Sequence, residues 1–352
     1  MDALSRLNAD AAVLRVRLDT QTRQAASGRR ADRLGDLSPE APRVINLSND
    51  IARRTVYGRG IDQTMGRIDL TQSTMQRLKN IASEFRSEVA MRLDAKDPSA
   101  LSTMQARARS AVLEVGNLLN TQLAGEFLLG GSDLANPPVP NPQNLLSSGM
   151  AATIASAMAG LNDSNAASVA AATLSAAQDT SAGGSPFSAF LEDPSRGAAE
   201  PRRSLPAADG QLVSYGVAAN RNGVAQSIGE TTGSWSRDLL RGLFSLAALG
   251  PDQAQQEQGF KAMAETIRQT FVSAEGALSE EMGALGNISR QLDTMRTRHR
   301  DISDTLQQQL AGITDVDLAE TLTRLQATRN ALEASYRVTS DLASLTLSQF
   351  LR

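Results

Sequence analysis

His299 is the chain's single histidine, so any imidazole chemistry rests on it alone. It stands between Met295 and Ile302 in a run whose apolar residues recur every three and four positions. A packed residue of a helix seam is the reading this favours, with a pH switch as the alternative. Serine–histidine catalysis would need a pocket beside His299, which a continuous seam does not offer. There are no cysteines, which excludes disulfides, thiolate nucleophiles, zinc–thiolate sites and iron–sulfur clusters. Asp315 and Asp317 precede a helical pattern, where carboxylates cap the helix and offset its dipole rather than gather a cation. The stretch "GEFLLGG" has neither the spacing nor the Lys-Ser/Thr of a phosphate-binding loop. Arg29, Arg30 and Arg33 form a basic cluster without interleaved aromatics, in a chain of net charge −3. A solvated loop or an ion-pair site fits them better than a phosphate or nucleic-acid contact. No catalytic, cofactor or metal site is expected, and the chain is not expected to be an enzyme.

What remains are the elements that would have positioned such groups, and these are distinctive. Among 352 residues only 3% are aromatic, while Ala, Leu, Gln and Arg abound, a composition that favours long helices. No run of 18 apolar residues is present, and the first residues, "MDALSRLNADAAVLRVRL", lack the basic and apolar regions of a cleaved signal peptide. The near balance of charge gives no drive toward nucleic acid or an anionic membrane.

Leu4, Leu7, Ala11, Leu14, Leu18, Gln21 and Ala25 repeat with heptad spacing, and Gly28 follows as a left-handed cap. A second helix is predicted from Ser38-Pro39-Glu40 to about residue 93, roughly 80 Å at 1.5 Å per residue. A third starts at Asp97-Pro98 and is expected to run to Gly130-Gly131, where Pro137, Pro138, Pro140 and Pro142 lead the chain away. Residues 137–233 then turn to Ala, Ser, Gly, Asn and Pro, with a predicted hairpin about Asn222-Gly223. Helical periodicity returns at Trp235. A long run from Leu285 to Ile313 precedes a last helix, capped by Asp317 and carrying Leu318, Leu322, Leu325, Leu332, Tyr336, Leu342 and Leu345.

The predicted fold is mainly α: a long antiparallel helical bundle or coiled-coil rod from the N- and C-terminal thirds, with a small inserted mixed α/β outer domain. Its parts are residues 1–34 (terminal helix and loop), 35–136 (rod helices), 137–233 (insert), 234–314 (returning rod helices) and 315–352 (last helix). The two terminal segments are single helices whose stripes need partners, from each other or from neighbouring subunits. Leu4, Leu7, Leu14, Leu18, Leu318, Leu322, Leu325, Leu332, Leu342 and Leu345 are the expected subunit-packing residues.

Three stretches carry a resemblance to the bacterial flagellin superfamily. "LDTQTRQAASGRRADRLGDLSPEAP" is similar to that family's first helix and the loop after it. "LLNTQLAGEFLLGGSDLANPPV" resembles its boundary between rod and outer domain, and "DVDLAETLTRLQATRNALEASYRVTSDLASLTLSQFL" its C-terminal helix. The closing "ASYRVTSDLASLTLSQFL" resembles the hook–filament junction branch (hook-associated protein type 3) more than filament flagellins. The N-terminal "MDALSRLNADAAV" departs from the family's Ser/Thr-rich opening, and residues 137–233 align with nothing in it.

The resemblance implies a structural subunit that joins hook to filament by helical self-assembly, with a filament subunit as the alternative. It implies export by the flagellar type III route without a cleaved signal, an extracellular location, and a cytoplasmic chaperone on the C-terminal helix. The implied neighbours are a hook-associated protein on the hook side and flagellin on the filament side, with no nucleic acid, membrane or cofactor. A cytosolic coiled-coil scaffold is the competing reading from heptads alone.

Overall fold

The computed structural model describes residues 3–92, 98–226 and 228–350. In chain order the helices and strands are α1 (Ala3–Ser27), α2 (Ala41–Arg92), α3 (Pro98–Leu119), β1 (Gln122–Leu123), β2 (Glu126–Phe127), α4 (Gly149–Ala159), α5 (Ala166–Gln178), α6 (Ala189–Glu192), β3 (Ser204–Ala208), β4 (Gln211–Ser214), α7 (Trp235–Ala248), α8 (Pro251–Ala254), α9 (Glu257–Thr314) and α10 (Leu318–Phe350). The chain is mainly α, with long helices packed against one another and two small two-stranded antiparallel sheets. No described helix is long and apolar enough to cross a membrane.

The apolar stripes explain the long helices. Val44, Leu47, Ile61, Ile68, Met75, Leu78, Ala82, Phe85 and Val89 of α2 are all buried, as their spacing of three, four and multiples of seven requires. Leu285, Leu292, His299 and Ile313 do the same on α9.

Contacts divide the chain into two compact units, Met1–Val56 with Thr297–Arg352, and Tyr57–Arg296. The terminal unit holds α1, α10 and a small cluster of Leu37, Val44, Leu47 and Ile313. The larger unit has one continuous core, to which α2, α3, α4, α5, α7 and α9 contribute. At its centre α7 is buried on every side from Trp235 to Ala247 and packs on α3, α4 and α5. Gly242 permits this close approach. A Cβ there would sit 2.8 Å from the Phe271 ring, which itself stacks on Phe85 with centroids 6.0 Å apart.

Three local expectations are corrected. The third helix ends at Leu119, well before Gly130. Asn120 terminates it by reaching across to residue 139. Its side-chain NH₂ donates to the Val139 carbonyl at 2.7 Å, and its oxygen accepts from the Val139 N–H at 2.9 Å. The freed residues form the β1–β2 hairpin, whose turn residues Ala124 (φ 53°) and Gly125 (φ 82°) both take the left-handed conformation of a tight hairpin. The Asn222-Gly223 pair turns no hairpin. The second sheet, β3–β4, reverses at Asp209-Gly210, with Gly210 at φ 70°. The second helix begins at Ala41, after Ser38-Pro39-Glu40 rather than within it.

Candidate assembly surface

In the terminal unit α1 and α10 lie side by side. The face of α1 turned inward is a heptad line of half-buried Leu7, Leu14, Leu18 and Gln21 around fully buried Ala11. The matching line on α10 is Thr321, Leu325, Thr328, Leu332, Ser335 and Thr339, spaced four and three throughout. Of these Thr321, Thr328 and Leu332 are buried. The pairing is therefore built on small and hydroxylated residues beside two leucines. Arg15 of α1 stacks on the Tyr336 ring, 5.1 Å from its centroid, and its Nε donates to the Tyr336 hydroxyl.

The ends of the two helices are tied at one place. Gly28 (φ 69°) caps α1, its N–H donating to Gln24 at 2.9 Å. The chain then pairs with the segment entering α10. Arg30 N–H donates to the Thr314 carbonyl at 2.7 Å, and Val316 N–H to the Gly28 carbonyl at 3.0 Å. Asp317 caps α10, accepting from the N–H groups of Ala319 (2.9 Å) and Glu320 (3.1 Å), the role its position suggested. Within the basic cluster Arg30 pairs with Glu40 at 3.0 Å, an exposed ion pair that contributes little by itself.

The expected packing residues thus fall into separate groups. Leu7, Leu14, Leu18 and Leu325 are half-buried between the helices, and Leu332 is 8% exposed. Leu318 and Leu322 lie outside the pair, 50% and 54% exposed. Leu4, Leu342 and Leu345 lie, as side chains, outside the described residues.

Sequence reasoning missed Val13 and Val16, two large apolar side chains of α1 that are 57% and 67% exposed. Their one signal is a position off the heptad line, where an ordinary helix carries charge. They border an open groove between the helices, lined also by Ala12, Arg17, Arg324, Ala327 and Thr328. Val13 and Val16 thus give the exposed side of α1 an apolar patch beside that groove. Among the described residues no group of His, Cys, Asp and Glu is placed to hold a metal ion.

No curated protein matches the chain. Residues 270–351 match the family model of the bacterial flagellin C-terminal helical region. That segment comprises α9 from Thr270 onward and all of α10, the helix whose outer face carries Leu318 and Leu322. The matched family is structural rather than enzymatic. The likeness is to that C-terminal helical region, over 82 of the chain's 352 residues.

Proposed function

We propose that the chain is the subunit that joins hook to filament, assembling helically between a hook-associated protein on one side and flagellin on the other. The observation that carries this finer reading is the closing stretch "ASYRVTSDLASLTLSQFL", which resembles the junction branch. Filament flagellins more often carry Ala-Gln-Ala-Asn there and end Leu-Ser-Leu-Leu. A filament subunit is the second reading, because the matched family model is that of flagellin.

In this proposal residues 1–34 and 315–352 form the inner tube, residues 35–136 and 234–314 the wall around it, and residues 137–233 face outward. The exposed Val13, Val16, Leu318 and Leu322 support a surface buried between subunits, at roughly 1.5–3 kcal/mol for each large side chain covered. Leu4, Leu7, Leu14, Leu18, Leu325, Leu332, Leu342 and Leu345 complete the packing set. Export is by the flagellar route, with a chaperone masking the C-terminal helix until assembly.

The test is immunogold electron microscopy of isolated hook–filament structures with antibody to this chain. The expected result is label confined to a narrow band between hook and filament. Label along the whole filament would replace the junction reading with the filament one, and label on neither would remove both.

A further inference from the structure

The Asn222-Gly223 pair turns no hairpin, yet both residues are engaged. Asn222 Oδ1 accepts from the Trp235 N–H at the start of α7 at 2.9 Å, and Asn222 Nδ2 donates to the Ala225 carbonyl at 3.3 Å. The Gly223 N–H donates to Glu281 Oε1 of α9 at 2.6 Å. The main-chain N–H groups of Val224 and Ala225 share that oxygen, and Glu281 is 0% exposed. Glycine gives the carboxylate this approach, since a Cβ at 223 would sit 3.0 Å from Glu281 Oε2.

Asparagine followed by glycine is also a pair open to a spontaneous reaction, because a residue without a Cβ leaves its nitrogen unhindered and its backbone free to turn. The Gly223 nitrogen loses its proton to hydroxide and attacks Asn222 Cγ. The new C–N bond closes a five-membered succinimide, the Cγ–Nδ2 bond breaks, and Nδ2 leaves as ammonia with a proton from water. Water then opens the ring at either carbonyl, to aspartate or to isoaspartate.

We propose that Asn222 is a deamidation site that the fold holds shut, with Glu281 as the latch. The attacking nitrogen must first become an anion, and here it would do so 2.6 Å from an oxygen of a buried carboxylate, where like charges repel strongly. The nitrogen that must leave is tied to the Ala225 carbonyl. Both restraints come from the folded larger unit, because Glu281 is distant in sequence, and unfolding removes them together. The proposal does not depend on the flagellar reading.

The test is incubation of the full chain in mildly alkaline buffer, folded and in urea, with conversion at Asn222 followed by peptide mass spectrometry. Conversion is expected to be at least roughly tenfold slower in the folded chain, a ratio set by how rarely the segment opens. Glu281→Gln keeps the shape and an acceptor oxygen but removes the charge. It is expected to speed conversion of the folded chain roughly tenfold and to leave the rate in urea unchanged. Phe271→Leu, which loosens the core of the same unit away from the pair, is expected to speed it less. Folded conversion as fast as in urea, slower or unchanged conversion in folded Glu281→Gln, or an equal acceleration in Phe271→Leu would overturn the latch.

Discussion

Arg237 of α7 and Glu192 of α6 form an ion pair inside the protein, one guanidinium nitrogen shared by both carboxylate oxygens. Arg237 Nη2 lies 2.6 Å from both carboxylate oxygens, and each side chain is only 6% exposed. The guanidinium also donates to the carbonyls of Ala177 (2.7 Å) and Asp179 (3.3 Å), and it stacks 5.1 Å from the centre of the Phe187 ring. One turn later Arg241 repeats the arrangement with Glu230, Thr173 and the Ala170 carbonyl. Two buried cations on α7 thus fasten it to the segments between residues 170 and 230.

Removing one member of the pair leaves the other charge buried and unmatched. Glu192→Ala is expected to cost the larger unit about 3–5 kcal/mol. Glu192→Leu combined with Arg237→Met is expected to recover most of that loss. Denaturant melts followed by circular dichroism measure both. A Glu192→Ala loss under about 1 kcal/mol would mean that the pair is solvated and unimportant.

The same contacts bear on the middle of the chain. From the sequence alone, residues 137–233 read as a small inserted outer domain, set apart from the rod helices; residues 140–230 span most of it. With Arg237 and Arg241 paired into that segment, its deletion strands two guanidiniums in a core, and cooperative melting of the larger unit is expected to disappear. A deletion protein that still melts in one sharp helical transition would show that α7 repacks without it.

Assembly is best probed at a residue that the isolated chain does not need. Leu322 is 54% exposed, whereas Leu332 is 8% exposed between α1 and α10. Leu322→Asp is expected to leave the monomer's melting unchanged within about 0.5 kcal/mol. In cells it is expected to leave hooks without attached filaments, since a carboxylate would be buried unpaired between subunits. Leu332→Asp is expected to loosen the α1–α10 pair even before assembly, seen as faster amide exchange in both helices. Normal swimming of the Leu322→Asp strain would remove Leu322 from the assembly surface.

Asp238 gives the larger unit a pH dependence of unusual sign. Burial raises its pKa above the ordinary carboxylate value, opposed by hydrogen bonds from Thr231, Thr232 and Ser273. A raised folded pKa means the folded state binds the proton more tightly than the unfolded chain. Asp238 therefore contributes stability that is fully present below the unfolded value, near 3.9, and is lost as pH rises through the folded one. Glu265 works oppositely. Hydrogen bonds from Arg268 and Gln269 lower its pKa to about 2, so its contribution is lost between about 4.5 and 2, and its exposure keeps that contribution small. Melting temperature is expected to rise as pH falls from 7 toward the ordinary carboxylate range, and Asp238→Asn is expected to flatten that rise. An unchanged slope in the variant would assign the effect elsewhere.

The long helices were legible because their stripes are long. A period sustained through α2 or α9 leaves no competing assignment. The pairing face of α10 was harder to read, because Thr321, Thr328 and Ser335 occupy seam positions without looking apolar, while Leu318 and Leu322 look like seam and point away. The centre of the larger unit was hidden for the opposite reason. Arg237 and Arg241 resemble the wet face of α7, and only partners distant in sequence reveal that it has none. The early stop of α3 rests on Asn120 reaching residue 139, a contact that no local pattern announces. Glu281 likewise reads as one more helix-surface carboxylate, yet it is fully buried and grips the main chain at Gly223, Val224 and Ala225.

The paired backbone at Gly28–Arg30 and Thr314–Val316 has a mechanical consequence. The chain leaves α1 and enters α10 through adjacent segments joined by a single β-bridge, so both terminal helices hang from a doubled tether. A torque applied to either helix is shared by two covalent connections instead of one. The pair is expected to swing as a single lever about that point, with twist inside it resisted from both ends of the polypeptide.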